Sequence, residues 1–190
     1  LQMDTPIGPM TLVVGTELAI GRRIDGELVA VSVTNPRVSR IGRQARIDYQ
    51  QGTFTITDLD SSNGTFLNDD LLLPQQAQTL VFQDGHCEIS VGGTREPPRK
   101  GLCCFIADAI EAADPVLRIS LSRSILDKPD MSRIVKYWTG LLEEVSQTWV
   151  LSAGRILVGG DLDCGVYLPG TTAEGFKVAV ERFQGQYSLS

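Results

Sequence analysis

Five polar residues in the first half of the chain have side chains suited to holding a phosphate group on a peptide. Arg22, Arg40 and Arg43 carry planar guanidinium groups, which can donate hydrogen bonds to two phosphate oxygens at once. Ser39 adds a hydroxyl donor, and the amide of Asn63 can pair with both the N–H and the C=O of an extended peptide. Clustered arginines are a recurring means of recognising phosphorylated motifs. These residue types therefore favour binding of an anionic peptide.

The residue types that catalysis needs are scarce. His86 is the only histidine, which excludes a multi-histidine metal site and most Ser-His triads. No nucleophile–base pair accompanies the arginines, so we predict a binding protein without enzymatic activity, cofactor or metal. Four acidic residues that lie close together are interpreted as solvated acids in turns rather than as metal ligands: Asp58, Asp60, Asp69 and Asp70.

Composition and charge argue against several other classes of protein. The 190 residues carry a net charge of −6, shared evenly between the two halves, so no basic field suggests nucleic acid as a partner. No apolar run approaches the roughly 20 residues that span a bilayer. The four cysteines lack a Cys-x-x-Cys spacing, which favours buried free thiols in a reducing compartment. We therefore predict a cytoplasmic protein, or the cytoplasmic part of a larger one.

Short strands separated by turns must position the polar residues. Apolar and polar side chains alternate over residues 52–57, and again over residues 45–49, as in half-buried strands. Asn63-Gly64 follows residues 52–57 and is a strong signal for a tight turn, for which an ordinary hairpin is the simplest interpretation. Strands this short and regular predict a mainly β fold, a β-sandwich over residues 1–108.

Four segments occur in an order and at a spacing that resemble the forkhead-associated (FHA) domain. They are Leu18-Ala19-Ile20-Gly21-Arg22, Asn35-Pro36-Arg37-Val38-Ser39-Arg40, Gln44-Ala45-Arg46-Ile47, and the stretch from Asp58 to Asn68. The resemblance covers roughly residues 10–108, and Ser-Ser-Asn-Gly-Thr-Phe-Leu-Asn at 61–68 is its most specific part. It implies an FHA-like β-sandwich that binds phosphothreonine peptides.

The resemblance also assigns roles to individual residues. It implies that Arg22 and Ser39 contact the phosphate of phosphothreonine, and that Asn63 holds the peptide backbone. Arg40 is then a basic neighbour of the phosphate, and Ser62 flanks the peptide groove. Three residues have structural roles in turn geometry and loop bracing: Gly21, Gly64 and Thr65.

The sequence departs from the FHA pattern after Arg40. Ile41-Gly42 is an insertion of two residues, and Gln44 stands where the family has a histidine that braces the loops. The phosphate loop is therefore expected to differ in shape. Two outcomes stay open at this point: Arg43 takes over from Arg40, or the site is degenerate.

The sequence pattern changes after residue 108. Residues 109–149 are interpreted as a mixed connector with an amphipathic helix at 131–147, capped by Asp130. Its apolar stripe is expected to pack against a sheet: Ile134, Trp138, Leu141, Val145 and Trp149. Residues 150–190 resemble the start of a second, degenerate FHA-like module, which is interpreted as truncated and in which Gly160 replaces the arginine.

Two functions follow from these observations. The first is a phosphothreonine-peptide recognition module of a signalling or scaffold protein, whose partner is phosphorylated in a Ser/Thr kinase pathway. The second is a degenerate FHA-like structural or assembly module that does not bind phosphopeptides. The second repeat resembles cytoplasmic domains of bacterial secretion-system inner-membrane ring proteins, which supports this alternative.

Overall fold

The structure is a computed structural model. It describes residues 1–5, 8–22, 30–33, 35–93, 101, 103–110, 115–121, 148–160, 164, 166–167, 177–184 and 186–190. These residues form seventeen strands and no helix, which confirms a mainly β fold. Consequently no helix in these ranges is long and apolar enough to cross a membrane. The helix predicted at 131–147 lies outside the described residues.

The strands follow one another along the chain with short connections in the first half. Their bounds are β1 Gln2–Thr5, β2 Gly8–Val14, β3 Glu17–Arg22, β4 Ala30–Val33, β5 Ala45–Gln50, β6 Thr53–Asp58, β7 Thr65–Leu67, β8 Asp70–Leu71, β9 Ala77–Thr79, β10 His86–Val91, β11 Cys103–Ile110, β12 Val116–Leu121, β13 Thr148–Ser152, β14 Ile156–Gly159, β15 Val166–Tyr167, β16 Lys177–Phe183 and β17 Gln186–Leu189.

Three sheets result from the pairing of these strands. Sheet A has eight strands in the order β1-β2-β13-β12-β11-β10-β7-β8. Sheet B has the order β4-β3-β5-β6-β9, and sheet C the order β15-β14-β16-β17. Most neighbours are antiparallel, but β2 pairs with β13, β3 with β4 and β14 with β15 in parallel.

Sheet A is covered on both faces at the end formed by β2, β13 and β12. A first core packs sheet A against sheet B and includes Trp149 and Leu151 of β13. A second core packs sheet A against sheet C and includes Val150 of the same strand and Leu12 of β2. Because successive side chains of a strand point to opposite faces, β13 supplies both cores by alternation. The molecule therefore has three layers, with sheet A in the middle.

Trp149 has a different environment from the one its sequence pattern predicts. The pattern placed it at the end of a helical stripe, but it lies in β13 opposite Ile119 and Thr11. Its side chain is 1% exposed and packs edge-on against Phe105, with ring centroids 6.3 Å apart. Membership of the stripe was wrong because the spacing of apolar residues does not show where one element ends and another begins. Burial in a core, which the sequence also predicted, is confirmed.

The predicted domain boundaries fall within sheet A. Residue 108 lies inside β11, which continues to Ile110, and residue 149 lies inside β13. Strands β12 and β13, which follow residue 108, contribute Leu117, Ile119 and Leu151 to the first core. The FHA-like sandwich of residues 1–108 thus shares its core with strands from the second half of the chain.

Sheet C repeats the pairing scheme of four strands of sheet B. β3 pairs in parallel with β4 and antiparallel with β5, which in turn pairs with β6. β14 likewise pairs in parallel with β15 and antiparallel with β16, which pairs with β17. Antiparallel pairs precede each set, β1 with β2 and β12 with β13. The six strands β1–β6 therefore have counterparts of the same order and direction in β12–β17.

All four cysteines are free and buried, as their spacing predicted. Burial raises the pKa of the Cys87 thiol to about 12, with a smaller contribution from the negative charge of Asp108. Burial also raises the pKa of Cys104. Thiols in this state are protonated at neutral pH and behave as small apolar side chains.

Candidate functional site

One end of the first sandwich collects the loops that carry the predicted site residues. β3 ends there at Arg22, and antiparallel β5 begins there at Ala45. β6 returns to the same end at Asp58, since it is antiparallel to β5, and β7 starts nearby at Thr65. The alternation of strand direction therefore brings together segments 35–44 and 59–64 beside the end of β3.

Backbone hydrogen bonds fix Arg22 beside the loop that carries Ser39. The Arg22 N–H donates to the Ser39 carbonyl at 2.8 Å, and the Ile41 N–H donates to the Arg22 carbonyl at 3.2 Å. These bonds form a parallel bridge between Arg22 and Arg40. The Nε of Arg22 also donates to the Val38 carbonyl at 3.1 Å, so its guanidinium lies against this loop. The structure thus brings together the two residues predicted to contact phosphate.

This approach depends on the absence of a side chain at Gly21. A Cβ atom built there would lie 2.7 Å from the backbone N and Cα of Ile41. Both segments are held by hydrogen bonds, so neither can move away without losing them. Gly21 is therefore a residue of close approach, consistent with the structural role that the resemblance implies.

Gly21→Ala should displace the loop at residues 39–41 and lower the free energy of unfolding by about 1–3 kcal/mol, as for other overpacked sites. Urea unfolding and backbone amide chemical shifts of Ser39 and Ile41 would measure the two effects. Gly15→Ala is the matched control, because its nearest atom to the added Cβ, Nη1 of Arg182, is 3.9 Å away. Equal behaviour of the two variants would contradict the close-approach argument.

Segments 35–44 and 59–64, together with the end of β3, form what we call the loop cluster, and Gln44 is its buried centre. Its side chain is fully buried, and its Oε1 accepts a hydrogen bond from the Ser39 N–H at 2.8 Å. Its Nε2 donates to the Gly64 carbonyl at 3.0 Å and to the Thr65 Oγ1 at 2.9 Å. One amide therefore ties segment 35–44 to segment 59–65. The replacement of the family's histidine does not remove the brace between the loops, because glutamine supplies both an acceptor and a donor.

Asp58 extends this network and is not a solvated acid. It is 1% exposed, and its carboxylate accepts hydrogen bonds from the Ser61 N–H at 3.0 Å and the Ser61 hydroxyl at 2.6 Å. The Thr65 hydroxyl donates to the same carboxylate at 2.6 Å. The prediction of a solvated turn acid was wrong for Asp58 because the carboxylate caps the loop from inside. Groups of three or more potential metal ligands are absent from the described ranges.

The loop from Leu59 to Gly64 crosses between sheets and is not a hairpin turn. It leaves β6 of sheet B and enters β7 of sheet A, and these strands do not pair. Gly64 has a φ of +81°, and a Cβ there would lie 2.8 Å from Cδ1 of Leu71. Asn-Gly predicted the positive φ correctly, but a local turn signal does not show which sheet the next strand joins.

Ser39 and Asn63 present unused hydrogen-bonding capacity to solvent. The Ser39 Oγ accepts a hydrogen bond from the N–H of exposed Ser62 at 3.1 Å, which leaves its own hydroxyl hydrogen available to a ligand. Asn63 Nδ2 donates to the Arg37 carbonyl at 2.6 Å, which uses one of its two hydrogens. Within the part of the chain that the structure describes, no residue pairs with the Asn63 Oδ1.

The inserted residues form a turn of their own. The Arg43 N–H donates to the Arg40 carbonyl at 2.9 Å, and Gly42 has a φ of +79°, as the third residue of a type II turn requires. Ile41 is half-buried against β3, Gly42 is exposed, and Gln44 still reaches Ser39. Both arginines of this turn are exposed.

Four arginines lie in the loop cluster, and none of them is ion-paired with an acid of the described ranges. Arg22 is half-buried, and Arg37, Arg40 and Arg43 are exposed. Ion pairs among the described residues are Arg46 with Asp48 and Arg118 with Asp108, so none involves these four. Sequence reasoning did not include Arg37 among the site residues; the hydrogen bond from Asn63 to its carbonyl places it there. The recurrence of arginine between positions 22 and 43 was the available signal.

A groove of about 510 Å³ lies elsewhere, beside the edge strands β8 and β9. Its lining includes apolar Leu71, Leu73 and Val81 together with several glutamines. None of the candidate phosphate-binding residues contributes to it, so this groove is separate from the predicted site.

The part of the sequence that forms the loop cluster matches one known family. Residues 18–92 match the family model of the FHA domain. This stretch contains every candidate residue of the loop cluster and is less than half of the 190-residue chain. The three sheets are consistent with an FHA β-sandwich that is extended by further strands. The comparison with curated proteins gives no match.

Proposed function

We propose that the loop cluster of the FHA-like sandwich binds a peptide that contains phosphothreonine. The observation that carries the proposal is the pairing of Arg22 with the Ser39 loop through three hydrogen bonds, two from the backbone and one from Nε. The Nη donors of Arg22 and the Ser39 hydroxyl hydrogen make no hydrogen bond within the described residues. Charge-assisted donors of this kind form the strongest hydrogen bonds to phosphate oxygens.

The peptide backbone is held, in this proposal, by Asn63. Its Oδ1 and its second Nδ2 hydrogen can pair with one N–H and one C=O of an extended chain. The bond from Nδ2 to the Arg37 carbonyl fixes the orientation of the amide before the peptide arrives. Exposed Ser62, whose N–H is used by Ser39, then lies beside the bound peptide.

The partner is proposed to be a protein phosphorylated by a Ser/Thr kinase, and the function that of a signalling or scaffold module in the cytoplasm. Two features support binding rather than catalysis within the described residues: the arginines accompany no nucleophile–base pair and no metal-ligand cluster. Arg40 and Arg43 contribute positive charge on the inserted turn.

Arg22→Ala should weaken phosphothreonine-peptide binding by at least tenfold, because loss of a charge-assisted contact costs about 1.5–3 kcal/mol. Fluorescence anisotropy with a phosphothreonine-peptide library and the matched unphosphorylated peptides would measure this loss. Arg182→Ala, an exposed change in sheet C, is the control and should leave the affinity unchanged. Binding that is indifferent to the phosphate would contradict the proposal.

A second candidate function is that of a structural or assembly module, and residues 148–190 favour it. β14 ends at Gly159 and is followed by Gly160, whereas its counterpart β3 ends with Gly21-Arg22. We infer that β12–β17 form a second FHA-like repeat without the phosphate-binding arginine. The role of this repeat is then structural, since sheet C packs against sheet A through the second core. Absence of phosphate-dependent binding to every peptide pool would favour this alternative for the whole chain.

A further inference from the structure

The loop cluster carries more arginines than one phosphate can pair with directly. A phosphothreonine side chain has a charge of about −1.5 to −2 at pH 7. Four arginines surround the Ser39 loop, and none has an ion-pair partner among the described residues. The exposed acid of the neighbouring segment, Asp60, joins none of them. The Asp58 carboxylate is held by Ser61 and Thr65, so exposed Arg40 and Arg43 stay available to a further anion when a phosphate is held at Arg22 and Ser39.

Two of these arginines flank the inserted turn. Arg22 is bonded to the Ser39 loop, whereas Arg43 stands at the far end of the inserted turn. The turn is open to solvent at Gly42, because a Cβ atom there would have no atom within 4 Å. Space for a ligand group is therefore open around Arg40 and Arg43. The first and fourth residues of a β-turn have Cα atoms within about 7 Å of each other. The guanidinium groups of Arg40 and Arg43 can therefore reach the same anion.

We propose that this turn binds a second anionic group of the same peptide, next to its phosphothreonine. The inference rests on the proposed function and deepens it, since it defines the ligand as a peptide with two anionic groups. The second group is a carboxylate of Asp or Glu or a second phosphate, both of which pair with arginine in the same bidentate manner. Arg40 and Arg43 are the residues that select for it.

Matched peptides test the proposal. One phosphothreonine peptide has uncharged flanks, a second series carries one Glu at each flanking position in turn, and a third carries a second phosphothreonine at the position where Glu is most effective. For the native chain we expect one position of Glu to raise the affinity by about tenfold, as one charge-assisted contact does. The third peptide shows whether carboxylate or phosphate is preferred.

The ratio of the affinity for the acidic peptide to the affinity for the uncharged peptide separates the role of Arg40 and Arg43 from that of Arg22. Arg43→Gln should reduce this ratio to about one, while Arg22→Ala should lower both affinities and preserve the ratio. Arg40→Gln is the second variant of the turn and should also reduce the ratio. Equal affinity of the native chain for all peptides, an equal gain at every position, or equal loss of both affinities in Arg43→Gln would overturn the inference. Absence of phosphate-dependent binding to the uncharged peptide and to all others would overturn the proposed function with it.

Discussion

Gln44→Leu should lower the free energy of unfolding by about 3–4 kcal/mol and release the two loops that Gln44 holds together. Leucine has a similar volume but no hydrogen-bonding group, so the Ser39 N–H and the Gly64 carbonyl lose their partner. Each buried polar group left unsatisfied costs about 1–3 kcal/mol. Thr65 keeps its bond to Asp58, so its share of the loss is smaller. Urea unfolding followed by circular dichroism would measure the change.

Two further variants make this result specific. Gln76→Leu changes an exposed glutamine and should alter the stability by less than about 0.5 kcal/mol. Gln44→His restores the residue type that the FHA resemblance implies and should recover part of the loss, since imidazole also offers a donor and an acceptor. A Gln44→Leu protein as stable as the native one would show that the hydrogen bonds of the Gln44 side chain do not contribute to the stability.

Trp149→Ala should destabilise the chain by about 3–5 kcal/mol, the range found for large aromatic side chains removed from cores. Trp149 is 1% exposed, and it packs in the core shared by sheets A and B although it lies far from that sandwich in sequence. We therefore expect the FHA-like sandwich and the strands after residue 108 to unfold in one transition. Denaturant unfolding followed by the backbone amide NMR signals of β5 and of β12 would compare the two parts.

Leu189→Ala is the control for this prediction, because Leu189 is 66% exposed in β17 and should change the stability little. If Trp149→Ala unfolded only the second half of the chain and left phosphopeptide binding intact, residues 1–108 would be an independent domain. That outcome would support the predicted division into domains and contradict the shared core.

The fold of the first half could be predicted from sequence because its signals are local. Alternation of side chains between residues 45 and 57 sets the faces of β5 and β6, and Asn63-Gly64 sets the positive φ before β7. The partners of β12 and β13 could not be predicted in this way. Their pairing with β11 and β2 joins residues far apart in sequence, and alternation gives the face of a strand but not its neighbour. For the same reason Trp149 was assigned to the wrong element.

The candidate site shows the same limit. Residue types identified Arg22, Ser39 and Asn63, which the structure brings to one surface; their roles stay a prediction. Gln44 was interpreted from sequence as a departure that put the site in doubt, since its three hydrogen-bond partners are distributed over two loops. Asp58 was likewise assigned to solvent, because the burial of a carboxylate depends on donors that only the folded chain assembles.

The arrangement of strand lengths has a consequence for self-association. Within the described residues, the strands at the sheet edges have two to four residues: β1 and β8 in sheet A, β4 and β9 in sheet B, β15 and β17 in sheet C. The longest strands, β2, β11 and β16, all lie between two neighbours. Short edges offer few unpaired backbone groups to a strand of another molecule. We therefore expect little aggregation through pairing of edge strands between molecules.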